Sequence, residues 1–333
     1  MLAQLPAGLL VTRGDVAQPA PGLSSSYAAV PWLIAKVALA QSPSATAFVA
    51  LKRAPESRAT RRAFAGFGNP VFADAATAAA AGGRRSLLRN LSLAQSVDDT
   101  EQALAGTAAK PPGAASIGLA EAYKLLNSLP DTAEELQEIS KVLNADGRGD
   151  LFLGARATEG NVKRTPLADR RVVAFATHGL RAGEVTGLDQ PALVLSNPAV
   201  TGEKEEDGFL TMQEVLGLKL DADWVVLSAC NTASGGAEGA EAVSGLGRAF
   251  FYAGARSLLV SNWAVESASA RLLTTELFRA QTETPALSRA EALRSSMVKL
   301  MGADASIGDT KLSYSHPLFW GPFTLFGDSG ARR

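Results

Sequence analysis

Two runs constrain this chain more than anything else in it: Val172-Val173-Ala174-Phe175-Ala176-Thr177-His178-Gly179 and Trp224-Val225-Val226-Leu227-Ser228-Ala229-Cys230-Asn231. Each passes from an apolar, β-branched stretch straight into one reactive side chain. Open parallel sheets carry their chemistry at the carboxyl ends of their strands, so the pair predicts two buried strands of one sheet with His178 and Cys230 at their exits. Cys230 is the only cysteine and His178 one of two histidines in 333 residues. Neighbouring strands would bring thiol and imidazole together.

A lone cysteine excludes an internal disulfide, and two histidines with one cysteine fall short of the usual four-ligand structural zinc set, so no metal and no cofactor is expected. A net charge of −1 offers no field for nucleic acid, and the Arg61-Arg62, Arg84-Arg85 and Arg170-Arg171 pairs read as solvated element ends. The longest greasy patch, Ala28 to Ala40, is broken by Pro31 and Lys36 and is shorter than the roughly 20 residues that span a bilayer. Met1 to Val11 lacks the layout of a secretory signal. The expected compartment is the cytoplasm, with no membrane partner.

Hydrophobic residues make up 47% of the chain, enough for a large α/β core and a second small layer beside it. Thr46 to Leu51 and Ala63 to Gly68 read as strands, and alanine-rich Ala73 to Gly83 as a loop or helix. Helical spacing covers Gly118 to Leu126 and Thr132 to Leu143, with Asp131 as N-cap. Leu151 to Leu153, a helix over Thr158 to Leu167, and Arg171 to Ala176 follow in βαβ order. Pro191 to Ser196 reads as a short strand or hairpin arm, Asn197 to Gly208 as a polar loop, and Thr211 to Leu216 as a short helix. Beyond Cys230 come a helix carrying Val243, Leu246, Phe250 and Ala253 on one face, a strand at Leu258 to Val260, helices at Ala268 to Ala280 and Ser288 to Leu300, and an apolar run from Pro322 to Phe326. No repeat of 20 to 50 residues is present.

A thiol beside an imidazole can form a thiolate for attack on a carbonyl. Gly179, lacking a Cβ, lets its N–H approach a reacting oxygen, and the Cys230 N–H is the second candidate oxyanion donor. Asn231 to Gly239 reads as a rim loop or as a plain strand-to-helix connection. His316, set in Tyr314-Ser315-His316-Pro317-Leu318-Phe319-Trp320, reads as packing. No Gly-x-x-x-x-Gly-Lys-Ser/Thr run exists to hold a nucleotide.

Phe175-Ala176-Thr177-His178-Gly179, Leu227-Ser228-Ala229-Cys230-Asn231-Thr232, Ser244-Gly245-Leu246-Gly247-Arg248-Ala249-Phe250, Gly254 to Ser261 and His316-Pro317 through Gly327 occur in the order in which the CHAT domain carries such blocks. The chain resembles that family, a bacterial relative of caspases and separases often fused to tetratricopeptide repeats, firmly from Leu126 to Asp328 and loosely from Ala63 to Ala120. Residues 1–60 resemble the lead-in that precedes the domain in longer relatives, which leaves 61–333 as the domain.

The resemblance implies a caspase-like three-layer α/β/α sandwich with a mostly parallel central sheet and a His178–Cys230 dyad. It implies a cysteine endopeptidase, a thiol protease working on a protein or peptide substrate through a thioester and, as in some family members, switched on by an activating protein partner. Relatives that cut after Arg or Lys place a carboxylate in the pocket, where it pairs with the substrate cation. Asp207, with Glu206 and Glu205 beside it, is the candidate here. Where the family commonly has Ser-His-Trp this chain has Ser261-Asn262-Trp263, so Asn262 is carried as a substrate-binding or loop-holding residue. Two other readings stand beside the peptidase: a non-catalytic CHAT-like signalling or protein-binding module, and an unrelated α/β enzyme or small-molecule binder.

Overall fold

The computed structural model describes residues 6–17, 19–53, 57, 60–73, 118–147, 149–228, 245–263, 265–307 and 310–330. Ahead of the first strand lie the short helices α1 (Leu33–Lys36) and α2 (Ala45–Arg53). The main sheet is built from β1 (Arg62–Gly68), β2 (Leu151–Leu153), β3 (Arg170–Ala176), β7 (Trp224–Leu227), β8 (Ser257–Ser261) and β11 (Phe323–Gly327). Their spatial order is β11-β8-β7-β3-β1-β2, parallel throughout except for β11, which runs antiparallel along β8. Helices α3 (Leu119–Leu125), α4 (Pro130–Val142) and α5 (Glu159–Arg164) separate the first three strands. A second, three-stranded antiparallel sheet, β4 (His178–Leu180), β5 (Ala192–Val194) and β6 (Phe209–Thr211), grows directly from the end of β3.

Alternation along the central strands sorts their side chains onto two faces. Phe64, Val172, Ala174, Trp224, Val226 and Leu259 turn to one core. There they meet Leu136 and Ile139 of α4, Leu273 and Leu277 of α9 (Ser267–Glu283), and Leu293 and Met297 of α10 (Arg289–Met301). Their chain neighbours Ala65, Phe67, Val173, Phe175, Val225 and Leu227 turn to the other core. That core is closed by Val162 of α5, Val215 of α7 (Met212–Gly217), and Leu246, Ala249 and Phe250 of α8 (Gly245–Ala253). Burial on both faces explains why these strands read as continuous apolar runs. The chain is an α/β protein with a mostly parallel sheet flanked by helices on both faces.

Several local readings change. Thr46 to Leu51 lies inside α2, where Ser44 Oγ accepts from Ala47 N and caps the turn. Asp131 is not the cap of α4; Leu129 holds that place and Pro130 the first helical position, where its missing N–H costs nothing. Polar loop 197–208 opens with α6 (Pro198–Thr201). A hairpin of β9 (Asp304–Ile307) and β10 (Thr310–Ser313) was not visible in the sequence pattern. Ala73 to Gly83, past residue 73, and Asn231 to Gly239 lie outside the described residues. Two of the arginine pairs are split rather than solvated, Arg61 and Arg170 having buried side chains while Arg62 and Arg171 are open to solvent, and Arg84-Arg85 lies outside the described residues. Within 1–60, Ile34 enters the main core, and Gln41 bridges the outer edge of β11 by donating its N–H to the Leu325 carbonyl at 2.8 Å.

Candidate functional site

The two strand exits are neighbours. Phe175 of β3 pairs in register with Leu227 of β7, and one residue further on the Ser228 N–H donates to the Phe175 carbonyl at 3.0 Å. Beyond β3 a single residue, Thr177, intervenes before β4, and its hydroxyl donates to the Val194 carbonyl of β5. His178 therefore starts β4 directly beneath the carboxyl end of the main sheet, paired with Val194. Ser228 Oγ lies 3.4 Å from Glu135 of α4, a fully buried carboxylate whose other oxygen accepts from Thr274 of α9 at 3.1 Å. This network ties the β7 exit to both helices on that face.

His178 is 2% exposed. Its Nε2 lies 2.8 Å from the Asn127 carbonyl, and since a carbonyl only accepts, Nε2 carries the proton and donates. The ring packs on Phe72 with centroids 5.3 Å apart, in the wall of a small core built from Phe72, Tyr123, Val185, Leu188, Val194 and Phe209. That core is the expected second layer. Asn127, in the link between α3 and α4, carries the anchoring carbonyl, and no sequence signal marks a backbone acceptor of this kind.

The endopeptidase expectation is corrected here. Cys230 lies outside the described residues, so among the described residues no thiol accompanies His178, and the ring is instead pinned by Nε2 to a backbone carbonyl inside an aromatic wall. Nε2 is taken up by that carbonyl, and no Cys-His dyad is evident around the ring among the described residues. Hydrolase, peptidase and thiol-protease activity are withdrawn with it, as is cleavage after Arg or Lys.

The remaining candidates have the following places. Gly179 pairs with Leu193 in the small sheet. Asp207 closes a turn: its Oδ1 accepts from the Phe209 N–H at 2.8 Å, and its carbonyl accepts from the Tyr123 hydroxyl at 3.1 Å. Burial, and after it the charge of Asp207, raises the pKa of that hydroxyl. Asn262 follows β8 and donates from Nδ2 to the Pro322 carbonyl at 2.7 Å and to Thr324 Oγ1 at 2.8 Å, clamping β8 to β11. His316 caps α11 (Pro317–Trp320), its Nδ1 accepting from Leu318 N at 3.1 Å, with Tyr27 edge-on at 4.6 Å. The packing role expected for it holds.

Glu206 belongs to a cluster. Lys163 Nζ lies 2.8 Å from Glu159, 2.5 Å from Glu206 and 2.9 Å from Glu214, and oxygens of the three carboxylates fall within 4.8 Å of one another. Glu159, with no exposed surface, also accepts the Gly208 N–H at 2.9 Å, so this one lysine stitches loop 202–208 to α5 and α7. Sequence reasoning missed the cluster, although two signals pointed to it: the Glu159/Lys163 spacing of four, and the Thr211/Glu214 capping box that opens α7.

Burial, reinforced by Glu214, pushes the Glu159 carboxyl up to about 8 despite Lys163. Burial also opposes the Glu214 charge, but hydrogen bonds from Lys163 and Thr211 hold it down to about 2. The signs are opposite. Glu159 contributes stability in full below the ordinary glutamate value of 4.5 and loses it as pH rises through about 8. Glu214 contributes above 4.5 and loses its share as pH falls toward about 2. Glu159→Gln, a neutral mimic, is expected to flatten the alkaline fall in urea-unfolding stability by about 1–3 kcal/mol between about pH 5 and pH 9. An unchanged alkaline slope in the variant would count against this assignment.

A family model described as the CHAT domain matches residues 1–328. This chain belongs to the CHAT domain family. Among curated proteins it is similar to tetratricopeptide repeat protein 28 of Mus musculus and of Homo sapiens, 26% identical to each over 235 residues. Those matches cover 61% of this chain and 9% of each relative, so the chain spans only a small part of the length of either. Among solved structures, that of the Arg-specific cysteine proteinase gingipain R superposes with a TM-score of 0.38 at 11% identity, covering 60% of this chain and 42% of that one. No helix among the described residues is long and apolar enough to cross a membrane.

Proposed function

We propose that this CHAT domain keeps a caspase-like frame but works as a non-catalytic signalling or protein-binding module. The observation that supports the reading is the setting of His178: its Nε2 donates to Asn127, its ring packs on Phe72, and no thiol accompanies it among the described residues. In this reading, the exits of β3 and β7, with Gly179 beyond the first, form the centre of a recognition face for a protein partner. Loop residues Glu206 and Asp207 border it, and Asn262 fixes the strand edge on its far side. Leu125, 56% exposed and two residues before Asn127, supplies an apolar contact next to the anchored histidine. The reading takes the cytoplasm as its compartment, because a single cysteine needs no oxidising surroundings.

The test separates binding from turnover. Wild-type and Cys230→Ala chains are expected to leave casein and a mixed fluorogenic peptide library uncut alike. Both should co-purify the same protein from cells that express the chain at its native level, and Leu125→Asp should lose it. Peptide turnover that vanishes in Cys230→Ala would overturn the proposal.

A further inference from the structure

The small sheet has β4 as one of its edges, directly beside the strand exits. Alternate residues of an antiparallel strand turn their main-chain groups to opposite sides, and in the central strand β5 the sides can be assigned. The Leu195 N–H donates to the Gly208 carbonyl at 2.7 Å and the Met212 N–H to the Pro191 carbonyl at 3.0 Å, so Pro191, Leu193 and Leu195 turn toward β6. Ala192 and Val194 therefore turn toward β4, and the Thr177 hydroxyl meets the Val194 carbonyl on that side. In register, His178 faces Val194, Gly179 faces Leu193 and Leu180 faces Ala192. Residues 178 and 180 thus bond to β5, while the N–H and C=O of Gly179 point off the edge. Gly179 is half-buried, and in a residue without a side chain the surface that remains open is main chain.

Other edges of the two sheets carry plugs. On β6 the outward N–H groups of Phe209 and Thr211 donate to Asp207 Oδ1 and Glu214 Oε2, each at 2.8 Å. Along β11, Gln41 accepts the Gly327 N–H and donates to the Leu325 carbonyl, both at 2.8 Å. Arg156 covers the outward carbonyl of Leu151 on β2. Even past the end of β4 the next outward N–H, that of Arg181, is taken by Glu184 Oε2 at 2.9 Å. Plugs of this kind keep a sheet from recruiting further strands. Gly179 has none: its outward N–H and carbonyl meet no partner among the described residues.

We propose that the partner binds as an added strand: an extended, uncharged segment with apolar residues at alternate positions lies along β4 and exchanges two main-chain hydrogen bonds with Gly179. The proposal rests on the reading of the strand exits as a recognition face. A helix satisfies its own main-chain groups and has none to offer Gly179, so the occupant is extended. Alternate side chains of an added strand fall on one face. On the face that carries His178, Leu180 is half-buried at the edge of the small core, and the link bonded to His178 Nε2 brings exposed Leu125 close by. These two leucines are the surface that alternate apolar residues would cover. Arg181, the charged residue that follows β4, is already held by Glu184 at 2.9 Å, so a charged segment gains nothing there.

Linear dodecapeptides displayed on phage are selected on the full chain, and the tightest binder is synthesised with each of its peptide nitrogens methylated in turn. A methyl group removes a donor and props the edge apart, so affinity is expected to fall about tenfold at every second residue beside Gly179 and to change little between them. Gly179→Pro removes the outward N–H where the backbone is not left-handed and an edge strand tolerates proline, and it should weaken the unmethylated peptide by about tenfold. Hydrogen exchange reads the same bond in the unaltered chain: the Gly179 amide should exchange freely alone and become protected when the peptide is added, while the Leu180 amide is protected throughout. Binding without the two-residue period, binding unchanged in Gly179→Pro, or a Gly179 amide that stays unprotected would each overturn strand addition and leave the binding module standing. Failure to select any peptide, or cleavage of the peptide that disappears in Cys230→Ala, would overturn both.

Discussion

Phe175→Ala is expected to lower the folding free energy by about 3–5 kcal/mol, read as a fall in the urea midpoint with the slope preserved. Phe175 is fully buried, stacked on Phe67 at 5.3 Å and 14° and tilted against Phe250 at 5.5 Å, so it joins β1, β3 and α8 in one aromatic column. Truncation removes ring contacts on two sides. The backbone around it is fixed by its register with Leu227 and by the Ser228 N–H, so the site cannot collapse cheaply into the void. Phe175→Leu keeps most of the volume and should cost about 1–1.5 kcal/mol. Phe48→Ala on α2, where the ring is 48% exposed, should stay within about 0.5 kcal/mol. Because both strand exits hang from the β3–β7 pair, partner binding should weaken in Phe175→Ala before the fold is lost. A cost below that of the leucine variant would show that the column is not the spine of the sheet.

The sheet was legible because its strands are buried on both faces. Val172 to Ala176 and Trp224 to Leu227 have no polar interruption, and only a central parallel strand uses such a run well. The adjacency of their exits followed from the same pattern. The use made of His178 was not legible. Which backbone oxygen meets Nε2 depends on where the α3–α4 link passes, and a main-chain oxygen such as that of Asn127 leaves no mark on residue identity. Thr46 to Leu51 misled because a short apolar run suits strand or helix, and only the Ser44 cap and the docking of this segment beside β11 decide it. The acidic run Glu205-Glu206-Asp207 looked available for a cationic guest. Glu206 instead meets Lys163 from a helix more than 40 residues earlier, and Asp207 folds back on its own turn.

That partnership sets the second large expectation: Lys163→Met should destabilise the folded chain by about 2–4 kcal/mol, with the loss growing as pH rises. Removing the ammonium leaves three carboxylates whose oxygens lie within 4.8 Å, one of them on fully buried Glu159, and no cation among them. Full burial would put the cost at the upper end of the range for a broken buried ion pair, but Lys163 and Glu214 are each close to one-third exposed, and solvent screening brings it down. In the wild type, burial disfavours the lysine charge and its three carboxylates more than restore it, so the ammonium holds its proton across the neutral range. Without it the carboxylates repel and favour protonation, their folded pKa values rise, and stability present in acid is lost as pH climbs. The gap between variant and wild type should therefore be narrower near about pH 5, where the Glu214 share is what is lost, and widest near about pH 9. Lys204→Met, an exposed change of the same charge on the same loop, should move stability by less than about 0.5 kcal/mol at either pH. Loop 202–208 borders the recognition face, so Lys163→Met should also weaken partner capture more than Lys204→Met does. A uniform loss across pH would mean that Lys163 acts through the packing of its alkyl stem and that the three carboxylates do not depend on its charge.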